Sequence, residues 1–196
     1  PVRYQKLTTA ADSDDLQRRL PSAIAGEGVH SFVFNFVDLL THGRSESMVL
    51  YEVARDEIAF RALTKQWFER SALFTLLQEA SRRNIPVLIT SDHGSIHCNT
   101  PATVFAKRDA TANLRYKFGE DLRAEDSSQA LLFPDATTLK LPPRPGANTL
   151  LAAGDTFFVY PTKLREYQGR YRGSFLHGGV TPEECILPIA LLTPRK

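Results

Sequence analysis

The chain has 196 residues, 42% hydrophobic and 23% charged, which is the composition of one globular domain with enough material for a sizeable core and excludes a disordered or fibrous chain. Lysine and arginine number 24 against 22 aspartate and glutamate, so a general polycationic coat for nucleic acid is excluded and any attraction to an anion has to come from local clusters. Cys98 and Cys185 stand far apart and outside any CxxC spacing, and no apolar run approaches the roughly 18 residues that span a bilayer, so a disulfide framework, a thiolate zinc site and a membrane partner are not expected, and the expected compartment is the cytoplasm.

Residues 12–25 (DSDDLQRRLPSAIA) carry acidic residues ahead of apolar positions at helical spacing and predict a short helix interrupted by Pro21 and ending near Gly26 to Gly28. Residues 30–37 (HSFVFNFV) form an aromatic and β-branched run that predicts a buried strand ending at Asp38. Residues 60–84 place Phe60, Leu63, Trp67, Phe68, Ala72, Phe74 and Leu77 on one apolar stripe with basic residues at the end, which predicts a long helix. Residues 85–90 (IPVLIT) then predict a second buried strand stopping at Ser91-Asp92-His93-Gly94.

Strand, helix and strand in that order predict a parallel sheet. Beyond Gly94 the pattern changes to short alternating stretches at 102–107 and 114–118, then the proline-rich LPPRPGAN at 141–148, read as inserted hairpins and loops. Later strands are predicted at 155–160 (DTFFVY) and 185–192 (CILPIALL). The predicted fold class is therefore α/β: a three-layer sandwich on a largely parallel central sheet with an inserted hairpin and loop region.

Three constellations could carry chemistry: Asp38-Leu-Leu-Thr-His42, Asp92-His93 before Gly94, and His177 before Gly178-Gly179. Taken singly, each has a structural reading. Asp38 could cap a helix beside His42, Asp92 could close an Asx-turn with Gly94 at positive φ, and His177-Gly-Gly could be a turn. Taken jointly, they place carboxylates and imidazoles, which hold zinc or manganese without sulfur, at successive predicted strand ends, where open α/β sheets gather ligands. The spacing of four also sets Asp38 and His42 on one side of a helical turn.

Strand-DxxxH, then strand-DHG, then a late His is similar to the metal-binding order of the alkaline phosphatase superfamily. The wording NFVDLLTHGRSE, VLITSDHG, NLRYKFG and SFLHGGVTPEE resembles its PglZ branch, most like the output domain of PorX-type response regulators. The resemblance implies an alkaline-phosphatase-like sandwich and two zinc sites, with manganese as the other metal. Asp38, His42 and His177 would ligate one ion, Asp92 and His93 the second. It implies a phosphatase or phosphodiesterase in which a metal-activated Thr or Ser attacks phosphorus in line and the phospho-enzyme is then hydrolysed.

The resemblance also implies that residues 1–196 are the C-terminal portion of such a domain, with the nucleophile expected upstream of Pro1 and a receiver domain upstream in the parent protein. Alone, this portion is expected to be inactive. Cyclic or short oligonucleotides are the expected substrates. Asn113, Arg115 and Lys117, in the NLRYKFG stretch, are the expected substrate contacts. They lie in a segment that also holds Lys107, Arg108 and Arg123 among aromatic residues, a mixture that suits nucleotides or, equally, a solvated hairpin. Lys163, Arg165, Arg170 and Arg172 form a second basic cluster. The alternative function is a non-catalytic signalling module that binds a nucleotide or a protein.

Overall fold

In the computed structural model, which describes residues 1–44, 46–107, 111–143 and 145–194, the first 90 residues alternate strands with helices. They run β1 (Val2–Leu7), α1 (Ala10–Ala23), β2 (Val29–Phe34), α2 (Phe36–Arg44), α3 (Met48–Val53), α4 (Glu57–Arg70), α5 (Ala72–Arg82) and β3 (Val87–Thr90). Short strands then dominate: β4 (Ile96–Cys98), β5 (Thr100–Phe105), β6 (Tyr116–Gly119), β7 (Arg123–Ala124), β8 (Ala130–Phe133), β9 (Asn148–Ala152) and β10 (Thr156–Val159). The chain closes with α6 (Leu164–Tyr171), β11 (Ser174–Leu176), α7 (Pro182–Cys185) and β12 (Ile189–Leu192). Residues 1–43, 49–90 and 188–196 make one compact unit, and residues 44–48 and 91–187 a second.

In the first unit, β1 and β2 pair in parallel from Val2↔Val29 to Leu7↔Phe34, with α1 as the crossover that parallel pairing requires. Thr9 starts α1: its hydroxyl accepts the Asp12 N–H at 3.1 Å, and the Asp12 carboxylate accepts the N–H groups of Thr8 and Thr9 at 2.9 and 2.8 Å. This reciprocal cap holds the Asp12 carboxyl down at about 2. Leu16, Leu20 and Ile24 recur every four residues and pack with Leu7, Ala72 and Leu76 to form the core of this unit. Pro21, expected to interrupt the helix, lies inside it, close enough to the end that its missing N–H removes a bond only from the last turn.

The helix predicted over 60–84 is two helices, because Ser71 is extended (ψ 160°) between α4 and α5. Its N–H donates to Phe68 O at 3.1 Å, and its hydroxyl accepts from the Phe74 N–H at 3.2 Å, ending one helix and opening the next. The strand predicted over 30–37 stops at Phe34. Phe36 opens α2 and stacks on Trp67, with centroids 4.4 Å apart. β3 pairs antiparallel with β12, Val87 opposite Leu192, and not alongside β2 as the order of elements predicted.

Among the described residues each sheet has two or three strands. Among the described residues the parallel pairs are β1–β2 and β5–β10, so the architecture is mixed α/β in place of a largely parallel sheet. Four helices separate β2 from β3, and strand order along the sequence does not fix which edge a strand joins after so long an excursion.

In the second unit, β5 lies between β10 and β7, β9 between β6 and β8, and β4 pairs with β11. The apolar run Phe157-Phe158-Val159 of β10 is buried on both faces. Phe158 packs into a core with Ala102, Val104, Leu122 and Leu150, whereas its neighbours Phe157 and Val159 pack with Cys98. Among the described residues no helix is long and apolar enough to cross a membrane.

Candidate metal centre

Asp38 lies in the first turn of α2, where the unpaired N–H groups of a helix start favour a carboxylate. His42 follows one turn later, its Nε2 3.3 Å from Asp38 Oδ1. The pair therefore sits on a helix four residues beyond the end of β2, whereas the sequence predicted Asp38 at the strand end itself.

Asp92 and His93 occupy the turn that follows β3, in the second unit. His93 Nδ1 is 3.0 Å from the Gly94 carbonyl. A carbonyl oxygen only accepts, so Nδ1 carries the hydrogen, and in the neutral ring Nε2 is left with its lone pair. A backbone carbonyl fixing one ring nitrogen so that the other is free is the support that metal-binding histidines carry. Asp92 Oδ1 lies 4.0 Å from that Nε2, and the Asp92 carboxylate is largely exposed. Opposite, the ring of His177 stacks on His93 with centroids 3.9 Å apart and planes 15° from parallel. His177 follows β11, whose Leu176 is held opposite Ile96 of β4.

Of the expected substrate contacts, Arg115 is fully buried. Its Nε and Nη2 donate to the two carboxylate oxygens of Glu184 at 3.0 and 2.8 Å, and Nη1 donates to the Thr156 carbonyl. Burial pushes the Glu184 carboxyl up, but the bonds from Arg115, the Gly179 N–H and Thr181 outweigh it and leave the group below its ordinary value.

Lys117 is also buried, at 1% exposure. Its Nζ donates to the carbonyls of Thr111 and Asn113 at 2.8 and 3.1 Å and lies 4.7 Å from the centre of the Tyr160 ring. With no carboxylate among these partners, burial pulls its ammonium down to about 8. Asn113 Oδ1 accepts the N–H groups of Arg115 and Tyr116 at 2.8 and 3.2 Å. The two expected cationic contacts thus face protein atoms and build the 111–116 loop from inside. Arg108 lies outside the described residues. In the second basic cluster, Arg170 and Lys163 lie 3.7 Å from Glu46 and Glu166 in exposed ion pairs.

Glu184 is the residue that sequence reasoning passed over. Thr181 and Glu184 form the T-x-x-E pattern of a helix start, so the cap was readable. Its buried partner, 69 residues away, was not.

Carboxylates and imidazoles on turns and helix starts of a mixed α/β chain fit the donor chemistry of zinc or manganese. The chain matches, over residues 1–192, the model of the BREX system PglZ alkaline phosphatase-like domain, which sets the class as alkaline phosphatase-like. It belongs to the PglZ family. No curated protein matches it.

Proposed function

We propose that this chain is the metal-binding portion of a phosphoester hydrolase, with Asp38, His42 and His177 holding one zinc and Asp92 and His93 a second, manganese being the other candidate metal. The observation that carries the proposal is the His93 ring: Nδ1 is occupied by the Gly94 carbonyl and Nε2 lies 4.0 Å from Asp92 Oδ1, and a carbonyl on one ring nitrogen is how a ligating imidazole is prepared. Membership of an alkaline phosphatase-like family supports the reaction class. Two divalent ions in such a site neutralise charge on the phosphoryl group and stabilise the attacking and leaving oxygens.

The chain's own residues orient the donors. α2 carries Asp38 and His42 on one face, and the turns at 92–94 and 177–179 fix the other imidazoles. In this proposal the nucleophilic hydroxyl belongs to a segment outside these 196 residues, and the isolated chain is inactive. Asn113, whose Oδ1 is committed to the backbone, has its amide N–H groups for a substrate oxygen, while Arg115 and Lys117 stiffen the loop that presents it. Short or cyclic oligonucleotides are the proposed substrates, and the biological setting is the output end of a PorX-like two-component signalling protein with an upstream receiver.

The test is hydrolysis by the zinc-loaded parent protein. Release of p-nitrophenol from bis-p-nitrophenyl phosphate, abolished by His177→Ala, is expected. Absence of product from that ester and from short oligonucleotides would overturn the enzymatic proposal and leave a binding module.

A further inference from the structure

The two stacked imidazoles stand on turns 84 residues apart in sequence, yet one side chain and its own backbone carbonyl reach both. After His177, the Gly179 N–H donates to Glu184 Oε1 at 2.8 Å, and the N–H and hydroxyl of Thr181 donate to Oε2 at 3.1 and 2.8 Å. After His93, the Gly94 N–H donates to the Glu184 carbonyl at 2.9 Å. Arg115 braces the same carboxylate from behind, and Glu184 is only 3% exposed.

Space is as tight as the hydrogen bonding. A Cβ on Gly94 would collide with the Glu183 carbonyl, and one on Gly179 would lie 2.6 Å from both Arg115 Nη2 and Glu184 Oε2. Five donors on one buried carboxylate is far more than the cap of the four-residue α7 requires. Beyond the two Thr181 bonds of the cap, two donors come from Arg115 and one is the Gly179 N–H, which ties the carboxylate to the backbone of the His177 turn.

We propose that Glu184 is a positioning residue for His93 and His177: its carboxylate fixes the His177-Gly-Gly turn, its carbonyl fixes the His93-Gly turn, and together they set the 3.9 Å stack. As far as metal affinity is concerned, this deepens the proposed function and rests on His93 and His177 being ligands. The stack itself does not depend on a metal. Supporting residues of this kind typically change metal affinity by roughly 10–100-fold when lost.

The test uses two variants of the full 196-residue chain from which both buried charges are removed together, so that neither is left uncompensated. Arg115→Met with Glu184→Gln keeps one amide oxygen, which can take the place of Oε1 and accept the Gly179 N–H, and Arg115→Met with Glu184→Met keeps no acceptor. Gly179→Ala is a third variant that retains both charges and wedges a methyl group between the turn and the Arg115–Glu184 pair.

Two readouts apply: ring-current shifts of the His93 and His177 ring protons by NMR without metal, and cobalt(II) binding followed by its visible absorption. Mutual upfield shifts are expected in the parent chain and the Gln variant, and they are expected to vanish in the Met and Gly179→Ala variants, with cobalt affinity at least tenfold lower than in the Gln variant. Identical ring shifts in the Met and Gln variants would overturn the positioning role. Shifts that respond as expected in a chain that takes up no cobalt would keep the positioning role and remove the metal assignment.

Discussion

Lys117 is a buried ammonium with carbonyl oxygens and a tyrosine face for company, and its deprotonation has a measurable stability consequence. Its pKa is about 8 in the folded chain against an ordinary 10.5. The unfolded chain therefore binds more protons between those values, and stability rises with pH across that window. The full difference is worth about 3 kcal/mol at 1.36 kcal/mol per unit of pH, of which about 2 kcal/mol is regained between pH 7.5 and 9.5. Below about 8 the ammonium is charged in both states and the cost is fully present.

Urea unfolding of the parent and of Lys117→Met, followed by circular dichroism at pH 7.5, 8.5 and 9.5, isolates this contribution, because every other titrating group is common to both chains. The parent is expected to gain about 2 kcal/mol on the variant over that range. A pH-independent difference would refute the argument that desolvation sets the charge of this lysine.

Arg115→Ala leaves the Glu184 carboxylate buried without its cation and is expected to cost about 3–5 kcal/mol in urea unfolding. Ser71→Ala removes the hydroxyl that opens α5 and should lower stability by about 1 kcal/mol in the same assay, with no change in metal content. His177→Ala should reduce bound zinc measured by mass spectrometry after dialysis, and an unchanged stoichiometry would remove His177 from the ligand set.

Much of this arrangement was legible in the sequence because it depends on local spacing. The i,i+4 pair Asp38 and His42 and the apolar stripes of α1 and α5 follow from periodicity, and the short apolar run at 155–160 marks the strand β10. β1 was not legible: its sequence, VRYQKL, alternates residues that are mostly exposed, and only pairing with β2 makes it a strand. The split at Ser71 was hidden because the apolar stripe continues through it, while one serine hydroxyl and an extended backbone outweigh helix propensity.

The partner of β3 and the fate of Arg115 were illegible for a common reason. Both depend on residues about 70 to 100 positions away, and a basic residue beside aromatic ones reads the same whether it faces a phosphate or a buried glutamate. The family match over residues 1–192 accords with the resemblance to PglZ domains carried by the DxxxH, DHG and HGG motifs.

The burial of Cys98 gives this chain a built-in clock. Its side chain has no exposed surface and its thiol is pushed up to about 12, while Cys185 is exposed. An alkylating reagent therefore adds one label promptly and the second only as residues 91–187 transiently open. Mass recorded against time would convert the delay between the first and second adduct into an opening rate, with no engineered probe.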